Sequence, residues 1–368
     1  MQGHLEDKRG KRHDLAFVLT GLLVALLQSS SKLDVSALHR SLVRGHGQLV
    51  QDTGHCSQKP ISDAQLRRLL SGLDHEAYNR VNQDYFGVAP GLGAGSWQAV
   101  DGKELRGTID GVMGQKRGQS VVRLVSHHRL ESRIVGYYQG DKESEKTVVE
   151  EHFQAQPQLG GQGYSFDALH TSSALLTRIE QRQGLYLAQV KQNQKKLLEE
   201  CRHVARHLPA LATEERVEKA HGRIEHRKGC LYALDVAALE ERWRESGLRS
   251  LAVLTRKRER VRDGQQSVEV SYYVSNLAPQ AGQTAALLGA VRGHWGIEAD
   301  NWVRDVTFGE DKIRCRDSGR IRALSGLINI ALNLIRRHDP AGNVKALREV
   351  LNADRSKVVA YFSHPDFL

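Results

Sequence analysis

The sequence predicts an α/β protein: a mixed-sheet core carrying a β-rich insertion, preceded by a helical N-terminal domain. Three observations predict it. Between Ser96 and Gln194, short β-branched and aromatic runs alternate with helical periodicity. From Glu214 to Asn276 the pattern changes to long alternating stretches around Asp263-Gly264, a hairpin signature. The first ninety or so residues carry helix-start signals and apolar spacings of three and four. These changes divide the chain into 1–90 (helical), 91–212 (core, first part), 213–280 (insertion) and 281–368 (helices returning to the core).

A chain of 368 residues with 40% hydrophobic content and seven prolines can bury a sizeable core. Its net charge of +10 favours polyanionic partners, nucleic acid foremost. Four cysteines lie far apart without a CxxC pair, and the 17 histidines are scattered, with no HExxH spacing. That composition suits a reducing compartment and argues against a disulfide framework or structural zinc site. The basic run from Lys8 to Arg12 before apolar Leu15–Leu27 resembles a signal peptide. Asp14 interrupts the approach, Gln28-Ser29-Ser30 gives no small-x-small cleavage site, and the run is too short for a membrane span. It reads as a buried helix.

The helices follow in order. Leu15 to Gln28 is the first, and Asp34 caps a second through Arg44, with Val35, Leu38 and Leu42 inward. Ser62 and Gln65 form a capping-box pattern before Leu66, Leu69 and Leu70, and Asp74 caps a fourth. Arg40, Arg44, Arg67 and Arg68 suit a small DNA-binding or dimerisation domain. The connection between the second and third helices is too long for a helix-turn-helix. Tyr85 to Gly95 reads as a linker; its GLGAG does not follow a strand and open a helix, so it is no dinucleotide fingerprint.

The core begins with a strand ending at Asp101, where Gly102 reads as a turn. Strands over Val121–Ser126 and Arg133–Tyr138 follow, then a helix over Glu145–Phe153. A strand over Tyr164–Asp167, a helix closing at Gly184, a strand over Leu185–Val190 and a helix starting at Gln194 complete it. That order is ribonuclease-H-like. It places the first and fourth strands side by side and parallel, with Asp101 and Asp167 at their carboxyl ends, where ligand sites of open α/β sheets sit.

In the insertion, Arg256 to Arg262 is densely basic and fits either a solvated hairpin tip or a phosphate contact. Gln283 to Arg304 then reads as one helix. Leu288, Val291, Trp295, Glu298, Trp302 and Asp305 fall on one face, with both tryptophans expected in the core. A carboxylate on an apolar stripe needs a partner, and Glu298 would find one in a divalent cation or a nearby arginine. Two aspartates and a glutamate can hold a pair of Mg²⁺ or Mn²⁺ ions for in-line phosphodiester chemistry without a protein nucleophile.

The motifs Asp101-Gly102-Lys103-Glu104-Leu105-Arg106-Gly107, Asp167-Ala168-Leu169-His170, Val190-Lys191-Gln192-Asn193-Gln194 and His221-Gly222-Arg223-Ile224-Glu225 occur in this order. They are followed by Arg292-Gly293-His294-Trp295-Gly296-Ile297-Glu298 and Asp305-Val306-Thr307-Phe308-Gly309-Glu310-Asp311. Together they resemble bacterial insertion-sequence DDE transposases of the H-repeat-associated kind, over nearly the whole chain. The resemblance implies Asp101, Asp167 and Glu298 as a catalytic triad holding two Mg²⁺ or Mn²⁺ ions. It implies double-stranded DNA as partner, both element ends and target, a homodimer in a synaptic complex, and a bacterial cytoplasmic location without membrane attachment. Candidate DNA contacts are Lys103, Arg106, Lys191, Asn193, His221, Arg223, Arg256, Lys257, Arg258, Arg292 and His294. His294 and Asp305 stand where the wider superfamily has the arginine and lysine of its Tyr-Arg-Glu-Lys signature. Ala299-Asp300-Asn301-Trp302 replaces the branch's usual Asn-x-Leu-His-Trp. A nuclease of the same fold that cuts without joining, or a DNA-binding regulator without catalysis, are the competing readings.

Overall fold

The structure, a computed structural model, describes residues 13–29, 34–86, 96–109, 117–128, 131–220 and 222–362. The basic run Lys8–Arg12, the GLGAG of the linker and His221 lie outside the described residues.

Four helices open the chain: α1 (Leu15–Leu27), α2 (Val35–Thr53), α3 (Asp63–Ser71) and α4 (His75–Phe86). Their starts are written in the sequence. Asp14 and Asp34 accept backbone N–H groups of Phe17 and Ser36, Ser62 accepts from Gln65, and Asp74 accepts from Ala77. Helix α2 runs nine residues past Arg44 and stops at Gly54, which takes a left-handed conformation at φ 65°.

The core follows: β1 (Trp97–Glu104), β2 (Gln119–Ser126), β3 (Ser132–Gln139), α5 (Lys142–Ala155), β4 (Gly163–Phe166), α6 (Ser173–Gln181), β5 (Leu185–Val190) and α7 (Lys195–His207). The insertion contributes β6 (Ala212–Ala220), β7 (Arg223–Ala233), β8 (Ser250–Arg260) and β9 (Gln266–Ser275). Helices α8 (Thr284–His294), α9 (Gly296–Val303), α10 (Ser318–His338), α11 (Val344–Ala353) and α12 (Arg355–Phe362) end the described chain. Among the described residues no helix is long and apolar enough to cross a membrane.

The nine strands of the described residues form one sheet in the order β3-β2-β1-β4-β5-β9-β8-β7-β6. β1 and β4 are parallel, as the ribonuclease-H-like order requires, and β4 and β5 likewise. The insertion is therefore joined to the core rung by rung: β9 pairs antiparallel with β5 from Leu187↔Ser275 to Val190↔Tyr272.

Strand alternation sorts the side chains onto two faces. Val100 and Phe166 point to the side covered by α5, α6 and α7, where Val149, Phe153, Leu176 and Ile179 meet them. Ala99 points to the other side, onto Ile297 of α9. There α8 also lies over Leu187, Leu231, Ala252 and Tyr273 through Leu287, Ala290 and Val291. Helix α10 is buried along almost its whole length between the N-terminal helices and the β2–β3 end of the sheet.

Three local expectations are corrected. β1 continues through Asp101 to Glu104, because Lys103 and Glu104 keep their pairing with Val121 and Ser120 of β2. Gly102 is thus a strand residue and not a turn. Most of the basic run is no hairpin tip: Arg256 to Arg260 lie within β8, flanked by β7 and β9, and only Val261 and Arg262 fall in the turn. The expected helix over 283–304 is broken at Trp295, where α8 ends and α9 starts, and it widens into a π turn over Arg304–Phe308.

Candidate active site

Parallel pairing in register, Trp97↔Gly163 through Val100↔Phe166, puts Asp101 and Asp167 next to each other, one residue beyond the last rung. β4 stops there while β1 goes on. Both aspartates project to the face covered by α8 and α9. Asp167 turns back on its own loop, its Oδ1 accepting the backbone N–H of Leu169 at 2.9 Å and of His170 at 3.4 Å. Asp101 Oδ2 accepts from the side-chain amide of Asn301 at 3.3 Å.

Negative charge accumulates at this corner. Burial, then the carboxylates of Glu145 and Asp167, push the Asp101 carboxyl up to about 7. A divalent cation between Asp101 and Asp167 relieves that repulsion, so the donor set fits a hard metal with oxygen ligands. Among the described residues no three His, Cys, Asp or Glu side chains are gathered so as to hold a metal ion.

Glu298 is where the expected and observed pictures part. The broken helix turns Ile297, Asp300 and Arg304 inward and leaves Glu298 exposed. Trp295 and Trp302, expected in the core, are 37% and 60% exposed. The register changes because the chain re-enters helix at Gly296, so the stripe read as one apolar face divides: Val291 stays buried on the sheet, while Trp295, Glu298 and Trp302 point outward. Glu298 nevertheless sits one turn before Asn301 on α9, and residues three apart share a helix face. Asn301 is the residue touching Asp101, so Glu298, the expected third carboxylate, is on the helix that already reaches the pair.

Below α9 lies a buried polar network that the sequence did not reveal. Asp300 accepts from Arg304 at 2.6 Å and from Arg336 of α10 at 2.5 Å, all three buried. The two guanidiniums hold the Asp300 carboxyl down to about 2 against its burial. Arg123 of β2 meets Glu310 at 2.5 Å, and Ser325 of α10 donates to the same carboxylate at 2.7 Å. Ser132 ties in Asn329 and Asn333. The i,i+4 spacing of Asp300 and Arg304 is the only local signal; Arg336 and Arg123 come from far along the chain.

The remaining candidates fall into three groups. Lys103, on the same face of β1 as Asp101, is ion-paired with Asp305 and, at 3.6 Å, with Asp311. Arg106 is exposed beside it, its backbone N–H reaching Asp311 at 3.4 Å. Lys191 and Asn193 follow β5; Lys191 is exposed, and the Asn193 amide donates to the Ala168 carbonyl at 2.5 Å, bracing the Asp167 loop. His294 faces inward, its Nδ1 2.9 Å from Ser165 Oγ, which also bonds His127 at 2.9 Å. Burial lowers the two imidazoles, His294 to about 4 and His127 to about 3.

On the insertion, Arg223, Arg256 and Arg258 line one face. Glu225 lies 3.6 Å from Arg223, 3.8 Å from Arg256 and 3.9 Å from Arg258. Glu269 takes Arg256 at 2.7 Å and Arg258 at 3.4 Å. Lys257 points to the opposite face and is exposed. Arg292 of α8 pairs with Glu218 at 2.8 Å. A groove of about 390 Å³ runs between α8 and β6–β8, lined by Arg216, Arg223, Arg227, Arg256, Arg292 and Trp295 among others. Arg256 lies over the Trp295 ring at 5.1 Å. The groove opens one helical turn from Glu298.

Comparison with known proteins agrees with this geometry. A family profile described as "Transposase DDE domain" matches residues 98–334. The chain is 27% identical over 301 residues to the "Putative transposase YncI" of Escherichia coli O157:H7, covering 79% of this chain and 74% of that protein. It is 25% identical over 250 residues to the "H repeat-associated putative transposase YhhI" of E. coli K12, covering 64% of this chain and 63% of that one. With its two aspartates on neighbouring parallel strands and nearly two thirds of its length inside the matched region, the chain belongs to the transposase DDE domain family.

Proposed function

We propose that the protein is a metal-dependent DNA transposase that cleaves a strand at each element end and joins the freed 3′-hydroxyl to target DNA. The observation that carries this reading is the adjacency of Asp101 and Asp167, with Asp101 raised to about 7 by burial and its acidic neighbours. Family membership implies DNA as the substrate and divalent-metal use in general terms.

Asp101, Asp167 and Glu298 would hold two Mg²⁺ or Mn²⁺ ions. When bound, such ions supply an activated water or 3′-hydroxyl and charge stabilisation for the leaving oxygen. The chain's own residues do the rest. Asn301 and the Asp167 loop orient the two aspartates. Glu298, exposed on a side chain with three rotatable bonds, closes on them from α9. Arg292, Arg256 and Arg223 along the groove suit a phosphate backbone leading away from the site, and Lys191 is exposed just after β5. Holding two ends together calls for a homodimer.

The test is the amide series. Asp101→Asn, Asp167→Asn and Glu298→Gln are each expected to lower Mg²⁺-dependent end cleavage at least a thousandfold, while DNA affinity stays within about threefold. Undiminished cleavage in all three sinks the reading. Strand transfer with pre-cleaved ends separates a transposase from a nuclease that cuts without joining.

A further inference from the structure

We infer that Glu145 and His170 are positioning residues that fix the spacing of Asp101 and Asp167. This rests on the metal-site reading above. Helix α5 delivers Glu145, 6% exposed, to the flank of β1 beyond the point where β4 ends. Its Oε1 accepts the backbone N–H of Gly102 at 3.2 Å and meets His170 Nε2 at 2.9 Å. Its Oε2 accepts the Tyr138 hydroxyl of β3 at 2.8 Å. His170, 2% exposed, belongs to the loop of Asp167, and its backbone N–H is one of the two bonded to that aspartate. The links therefore close a circuit: Asp167 to the His170 backbone, the His170 imidazole to Glu145, Glu145 to the Gly102 backbone, and Gly102 to its neighbour Asp101.

Two features separate a positioning role from metal ligation. Glu145 approaches from the α5 side, whereas Asp101 points to the α9 side, since successive strand residues face opposite ways. The three contacts to the Glu145 carboxylate oxygens are already directed at β1, β3 and the His170 ring. Against its burial, the bonds from His170, Tyr138 and Gly102 hold its carboxyl below the ordinary range. The seat also explains the glycine after Asp101: a Cβ at position 102 would lie 2.3 Å from Glu145 Cδ. No residue other than glycine leaves room for the carboxylate.

The experiment is Mn²⁺ titration of the full chain without DNA, by calorimetry, beside thermal melting to confirm folding. His170→Ala is expected to weaken Mn²⁺ binding at least tenfold. His170→Gln, which returns an N–H donor near the Nε2 position, is expected to recover affinity to within about threefold of the parent. Gly102→Ala, which displaces Glu145 without removing any charge, is expected to lose affinity as His170→Ala does, and the double variant to lose no more than either alone. Parent-like Mn²⁺ binding in both folded single variants overturns the inference, and so does failure of His170→Gln to recover when it melts like the parent. Asp101→Asn is the control: if it binds Mn²⁺ as the parent does, the metal-site reading itself fails, and this one loses its ground.

Discussion

Asp101 carries a conflict that a cation resolves. Its carboxyl is raised from 3.8 to about 7 by burial and by Glu145 and Asp167. A carboxyl raised on folding disfavours the folded state once ionised, so the metal-free protein loses stability as pH rises from about 4 to about 7. Asp101→Asn removes that loss. In EDTA at pH 8 the variant is expected to be more stable than the parent by on the order of 2 kcal/mol, and equal to it near pH 4. Melting curves across that range check it. Much of this corner was legible: two aspartates on neighbouring strands of a ribonuclease-H-like order are visible as letters, although β1 runs on past Asp101. Glu145 was not. Its role depends on α5 meeting the flank of β1 at a glycine, and Gly102 in isolation reads as a turn.

At the scale of the element, the segment from α8 to the π turn does most to set the site. The three-and-four spacing of Trp295, Glu298 and Trp302 was legible, but its direction was not, because direction depends on the break at Trp295-Gly296. What orients α9 is the buried Asp300 between Arg304 and Arg336. Asp300→Ala leaves two guanidiniums facing each other without their acid, and is expected to cost about 3–5 kcal/mol in denaturant unfolding. The same buried cluster joins β2, the start of β3 and α10, so the helix bearing Glu298 is anchored to strands at the far side of Asp101. The charges of this network came from residues separated by up to 187 positions, as for Arg123 and Glu310, and no periodicity reports such pairs.

For the whole molecule, the net charge of +10 pointed to a polyanion, but it did not say which cations are free to meet one. The structure sorts them. Arg256 and Arg258 share Glu225 and Glu269, whereas Lys191 and Lys257 are exposed on the surface. If Lys191 touches phosphate, Lys191→Ala reduces the slope of log affinity against log salt by about 1. Arg256→Ala is expected to change that slope by less, since the arginine is already neutralised by its own acids. Equilibrium DNA binding between 50 and 200 mM salt measures both.

The pairing of β9 with β5 has a mechanical consequence. Because the insertion continues the central sheet, it cannot swing as a separate paddle. A double helix lying along it would meet a rigid ruler, graduated in strand widths from the end of β4 outward. The distance between a contact on the insertion and the scissile bond would then be built into the ladder and would not be adjusted at each encounter.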